Sequence, residues 1–122
     1  MVPETGMSNA FGYIPSEANF IHPGKRPLSS ISTSIVERPN GTVSLVTGSA
    51  GGIITTTLQV MLNVLEKNTT AHEALTAPRM HDQLVPQEVS FEYAFDNSTI
   101  AYMKEIGSKS HGWRRGRAQL KL

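Results

Sequence analysis

Residues 28–52 read LSSISTSIVERPNGTVSLVTGSAGG, and the way this stretch changes character along its length decides the fold. Residues 28–36 are rich in Ile, Val, Ser and Thr, and the β-branched side chains suit a pleated surface, so a strand is predicted there. Asn40-Gly41 offers both positive-φ positions of a tight hairpin turn. Residues 42–47 form the returning strand, with Val43 and Leu45 on one face. Gly48-Ser49-Ala50-Gly51-Gly52 follows as a loop of small residues. Directly beyond it Leu58, Met61, Leu62 and Leu65 recur at i, i+3, i+4 and i+7, widened by Val60 and Val64. That stripe predicts a helix apolar on most sides and therefore largely buried.

Working outward, Thr70 and Glu73 have the spacing of a capping box, which starts a second short helix that Pro78 closes. Glu88 to Phe95 alternates as a strand should, with Val89, Phe91 and Tyr93 on one side. Upstream, residues 1–27 form an extended or looping segment punctuated by Gly6, Gly12, Pro15, Pro23, Gly24 and Pro27. The order strand, strand, helix, helix, strand defines a mixed α/β (α+β) set, antiparallel where the hairpin joins its strands.

At 122 residues with 39% hydrophobic content the chain forms one domain with a modest core. The net charge of +1 conceals an asymmetry: residues 1–103 carry five Lys/Arg against nine Asp/Glu, and residues 104–122 carry six against one. We divide the chain into a body, residues 1–106, and a basic tail, residues 107–122. An acidic body argues against a nucleic-acid partner. The tail's Trp113 and Arg114-Arg115-Gly116-Arg117 read as an exposed basic end. The sequence has no cysteine, which excludes disulfides, thiol catalysis and zinc–thiolate sites. Asn40-Gly41-Thr42, Asn68-Thr69-Thr70 and Asn97-Ser98-Thr99 are three N-glycosylation acceptors, each at a turn or element end. They point to the secretory pathway. Met1 to Ser8 nevertheless lacks the apolar segment of a signal peptide, so the chain reads as beginning downstream of a longer protein's start.

The loop Gly48–Gly52 before a helix presents backbone N–H groups that a carboxylate, a phosphate or an acyl-transfer oxyanion can approach; it reads equally as a packing turn of small residues. No Gly-Lys-Ser/Thr follows, so it is not a nucleotide P-loop. Ser29 and Ser30 offer hydroxyls for a polar ligand or for strand-start hydrogen bonds, and Lys25 and Arg26 offer charge to an anion or to solvent. His22, His72, His81 and His111 lack metal-ligand spacing, and neither metal nor cofactor is expected. His81-Asp82 is a candidate acid–base pair.

Residues 18–30, ANFIHPGKRPLSS, resemble a segment of the γ-glutamyltransferase (glutathione hydrolase) family. So do Val46-Thr47-Gly48-Ser49-Ala50-Gly51-Gly52, the run Ile53-Ile54-Thr55-Thr56 through Leu65, and Ala77-Pro78-Arg79-Met80-His81 with Gln83-Leu84. Four motifs in order make the resemblance specific over residues 15 to 95; the basic tail, residues 107–122, reads as non-homologous to the family. It implies part of an αββα sandwich of the N-terminal-nucleophile hydrolase type, from the small catalytic subunit. In such an enzyme a threonine attacks the γ-glutamyl amide of glutathione. The glutamyl group then passes to water, an amino acid or a dipeptide. By motif, Ser29 and Ser30 bind the substrate α-carboxylate, and Gly51 and Gly52 supply the oxyanion hole. The implied partners are γ-glutamyl compounds, acceptor amino acids or dipeptides, and the large subunit of the same precursor. The complete protein is expected on the extracellular face of a membrane, in the vacuole, or secreted. The resemblance also implies that the nucleophile and an acidic amino-group site lie upstream of Met1, and that two residues are missing after Gly52. The chain alone is then expected to be inactive. The alternative is a catalytically inactive γ-glutamyltransferase-like binding module or subunit.

Overall fold

The computed structural model describes residues 8, 9 and 12–113. A single 3-10 turn, Glu17–Asn19, interrupts the extended N-terminal segment. Strand β1, Ser34–Glu37, pairs antiparallel with β2, Val43–Thr47. β1 is shorter than the sequence suggests: residues 28–33 are unpaired chain, exposed except at half-buried Ser32. The turn also differs from the expected one. Only Gly41 takes positive φ, at 81°, and its N–H reaches Arg38 O at 2.9 Å while Arg38 N–H reaches Thr42 O at 2.8 Å. Pro39 presets the first turning residue, so a longer turn ending in a left-handed glycine replaces the two-residue one. The extra residue is taken up as a register shift between Val36 and Glu37.

Helix α1, Ile53–Leu65, leaves β2 through the glycine loop. Beyond its last turn Asn68 is left-handed, at φ 53°, and Thr69 covers Asn63 O with both its N–H and its hydroxyl. Helix α2, Ala71–Thr76, starts at the capping box: Glu73 N–H donates to Thr70 Oγ1 and Thr70 N–H to Glu73 Oε2. Those Thr70 bonds hold the Glu73 carboxyl below its usual range.

A second sheet has the order β3, Met80–His81; β4, Val89–Glu92; and β5, Ser110–Trp113. β4 is central, antiparallel to β3 and parallel to β5. Parallel neighbours need a crossover, and helix α3, Asn97–Glu105, supplies it. Asp96 caps α3 by accepting from Thr99 N–H, and Gly107, at φ 92°, lies just past its end. Hydroxyls of Ser98 and Thr99, then the Thr99 N–H, drive the Asp96 carboxyl far below the ordinary carboxylate range. Residues 110–113 of the basic tail are thus a sheet strand; residues 114–117 lie outside the described residues.

Two further expectations are corrected. The strand over 88–95 is only Val89–Glu92, the middle strand of its sheet, and all four of its residues are buried. The chain turns at once, Phe95 N–H to Glu92 O, and leaves Tyr93 exposed rather than in line with Phe91. In α1 the buried residues are Thr56, Thr57 and Val60. The apolar stripe faces out: Ile54, Leu58, Leu62 and Leu65 are exposed, Leu58 by 52%. The core is accordingly small, Val60, Ala74, Val89 and Phe91, extended by a tilted ring contact between Phe91 and Phe95.

Candidate functional site

The hairpin register places Ser34 opposite Thr47, so the chain entering β1 and the chain leaving β2 diverge from the same open end. Ser29 and Ser30 lie a few residues before that end and Gly51 and Gly52 a few residues after it. The segments remain close where they part: a Cβ on Gly48 would sit 3.4 Å from Thr33 Oγ1. Both serines are exposed. Ser29 Oγ accepts from Ile31 N–H at 3.2 Å. Lys25 is turned back on its own loop, its ammonium donating to the carbonyls of Ala18 and Phe20.

Gly51 and Gly52 both occupy the left-handed region, at φ 78° and 52°. Gly52 is the N-cap of α1, and among the described residues no side-chain cap bond is made at this helix start. Gly52 O accepts from Thr56 N–H, and Gly51 O from Ser49 Oγ. Among the described residues neither glycine's own N–H makes a hydrogen bond. A helix start without a side-chain cap leaves its N-terminal partial positive charge for an external anion. The two-residue shortening implied by the resemblance falls at this cap, since Ile53 follows Gly52 directly.

One side of this turn is walled by β3. Thr55 Oγ1 lies 2.7 Å from His81 Nδ1 and 3.0 Å from Gly52 O. His81 Nε2 is 3.1 Å from Gln83 Oε1, and Asp82 accepts from Leu84 N–H. The neighbour that orients the His81 ring is thus Thr55, not the adjacent Asp82. Gln59 reads both backbone groups of Met80: its amide donates to Met80 O at 2.7 Å and its oxygen accepts from Met80 N–H at 3.0 Å. Arg79 completes the clasp by donating to Glu92 Oε1 from Nη2 at 2.8 Å and from Nε at 3.2 Å, while its backbone N–H reaches Oε2. The run Ala77 to Gln83 therefore joins α2, the sheet and the start of α1. Thr55, Gln59 and Glu92 were not legible as partners, because their bonds connect residues distant in sequence.

Ser90, His111 and Glu88 occur in the order of a nucleophilic triad, with Ser90 Oγ 2.9 Å from His111 Nε2 and His111 Nδ1 3.7 Å from Glu88 Oε2. Ser90 is only 2% exposed in the central strand, so no substrate reaches it, and the row ties β5 to β4. Among the described residues no group of three or more His, Asp or Glu side chains is arranged to hold a metal. No helix among them is long and apolar enough to cross a membrane. Asn40, Asn68 and Asn97 are all exposed.

Solved structures share this fold. A γ-glutamyltranspeptidase mutant from Helicobacter pylori superposes with a TM-score of 0.80 at 38% identity, over 91% of this chain and 61% of that one. An acivicin-inhibited γ-glutamyltranspeptidase gives 0.81 at 38% identity, over 91% and 60%. The class is thus the N-terminal-nucleophile hydrolase, of whose αββα sandwich these strands and helices form a part. A family profile for gamma-glutamyltranspeptidase matches residues 2–120. A glutathione hydrolase proenzyme of Arthroderma benhamiae is 53% identical over 100 residues, 80% of this chain and 17% of the relative. That of Escherichia coli is 42% identical over 106 residues, 85% of this chain and 18% of the relative. The chain belongs to the γ-glutamyltranspeptidase family, and it spans under one fifth of the length of these curated relatives.

Proposed function

We propose that this chain forms the anion-binding half of a glutathione hydrolase/γ-glutamyltransferase active site, with Gly51 and Gly52 as the oxyanion donors and Ser29 and Ser30 as the clamp for the glutamyl α-carboxylate. The observation that carries this reading is a pair of amides, unengaged among the described residues, on consecutive left-handed glycines at a helix start without a side-chain cap. When a threonine hydroxyl adds to the γ-carbonyl carbon, the carbonyl oxygen takes up negative charge. Two fixed N–H groups lower that barrier most when aimed at the tetrahedral oxygen rather than at the planar ground state. Collapse expels the amine, and the same amides serve again when water or an acceptor amine attacks the acyl-enzyme. The serine hydroxyls, exposed on the chain leading into β1, bind charge that does not change during the reaction. They contribute affinity and alignment.

The exposed stripe of α1, together with Leu75 on α2, supplies the face on which the large subunit packs. The exposed sequons at Asn40, Asn68 and Asn97 support passage through the secretory pathway. The test is a chimera in which this chain replaces the matching segment of the Arthroderma benhamiae relative. The expected result is glutathione hydrolysis with a measurable transfer to added dipeptide. A folded, processed chimera that binds γ-glutamyl compounds without turning them over would replace this reading with that of a binding module.

A further inference from the structure

Glycine-rich turns are conformationally permissive, yet oxyanion donors stabilise a transition state only if they are held in place beforehand. Something must restrain Gly51 and Gly52, which have no side chains to do it. We propose that His81 is a positioning residue for this turn, acting through Thr55. The proposal rests on the oxyanion reading of the two glycines.

One assignment of the protons satisfies the Gln83 contacts. Gln83 Nε2 donates to Val85 O at 2.8 Å, so the atom it turns to the histidine is its oxygen, and His81 Nε2 carries a hydrogen toward it at 3.1 Å. In the neutral ring Nδ1 is then an acceptor. The donor at 2.7 Å is then the Thr55 hydroxyl, whose single proton is shared in a three-centre bond between Nδ1 and Gly52 O, and this locks the Thr55 side chain one turn inside α1. The same oxygen lies 3.0 Å from Gly52 O. The ring also stands against the glycine: a Cβ on Gly52 would be 3.4 Å from His81 Nδ1. His81 thus meets the turn through Thr55, and its ring limits the space beside Gly52.

The latch can restrain the glycines because its own base does not move. Met80 is held by both ends of the Gln59 amide, His81 pairs in register with Ser90 of the central strand, and Arg79 is fixed to buried Glu92. These bonds transmit the position of β4 to the helix start that carries the amides. The direction of influence runs from sheet to turn.

The test uses the chimera together with NMR on the 122-residue chain. Nitrogen-15 shifts of His81 should report a hydrogen on Nε2 and an accepting Nδ1, and Thr55→Val, which keeps shape and removes the hydroxyl, should move the Nδ1 signal and the Gly51 and Gly52 amides. In the chimera Thr55→Val and His81→Ala should each lower kcat by about 10- to 100-fold, as small misplacements of catalytic groups do, with KM little changed. The double variant should be no slower than the slower single, since both cut one link. His81→Asn sets an acceptor oxygen near the place of Nδ1 and should recover most of the lost rate. If Thr55→Val leaves kcat unchanged while Gly52→Ala lowers it, the oxyanion site stands and the latch is overturned. If Gly52→Ala also leaves kcat unchanged, the oxyanion reading has failed and takes the latch with it.

Discussion

The two faces of α1 are built on opposite principles. Toward β3 the helix presents Thr55 and Gln59, each bonded to a named partner, beside buried Thr56, Thr57 and Val60. On the other side it presents Ile54, Leu58, Leu62 and Leu65 to solvent, and the hairpin adds exposed Ile35 and Val46, which are cross-strand partners. The inner face is polar and bonded at Thr55 and Gln59, while the buried Thr57 hydroxyl lacks a partner there among the described residues. The outer one is apolar and uncovered. Hydrophobic periodicity shows that an apolar stripe exists and is silent about what it meets. Here the stripe faces outward, and position in this chain is fixed by directional bonds from the clasp instead.

If the inner face and its sheet set the stability, damage there should dominate. Phe91 is 1% exposed at the centre of β4, and Phe91→Ala should cost about 4 kcal/mol by removing a large core side chain. Urea unfolding followed by tryptophan fluorescence measures it. Arg79→Ala should follow, at about 3 kcal/mol, because it strands the buried Glu92 carboxylate; the Glu92 side chain is 6% exposed. Arg79→Ala combined with Glu92→Leu should recover part of that loss, since the orphaned charge goes too.

The outer face should behave in the reverse way. Leu58→Ser with Leu62→Ser should change the chain's own stability by less than about 0.5 kcal/mol each, as exposed positions do, while sharply reducing the yield of processed chimera. A loss of several kcal/mol in the chain itself would show that this face is already covered, and the contrast between the faces would collapse.

The smallest effect lies far from both faces, at the α3 cap. A carboxyl whose folded value is depressed contributes stability that is present above its unfolded value, about 4, and is lost as pH falls toward the lower folded one. Asp96 and Glu73 are both held low by cap bonds, so the helix ends should loosen only under strongly acid conditions. Carboxyl-resolved NMR titration checks this. Asp96→Asn, which retains a capping oxygen, should remove most of the acid response of α3 with little change at neutral pH.

What was legible in the sequence follows the same division. The hairpin, the glycine loop, α1 and the capping box of α2 depend on neighbours in sequence, and apart from the shortened β1 each occurs close to its expected place. The turn went astray by local detail: Pro39 opens it one residue earlier than Asn40-Gly41 suggests. Helix α3 left little trace because it buries no residue, so it has no apolar stripe to read, and only Asp96 and Gly107 mark its ends. β5 was hidden because Ser110-His111-Gly112-Trp113 has no strand pattern and is held by parallel pairing across the crossover. At the candidate site the glycines and serines were visible through their motifs. Their support was not, since the link from Thr55 to His81 spans 26 residues.

The assignment of Gly51 and Gly52 as oxyanion donors, distinct in role from Ser29 and Ser30, is tested most directly by separating kcat from KM in the chimera. Gly52 is left-handed, and a Cβ there would touch His81 and Thr56 at 3.4 Å, so Gly52→Ala displaces the amide as well as straining the backbone. The expected result is a fall in kcat of about 100-fold or more with KM nearly constant. Ser29→Ala and Ser30→Ala should instead raise KM, with kcat falling less. A Gly52→Ala chimera that is folded, processed and as fast as its parent would contradict the oxyanion assignment and leave the glycines as a packing turn.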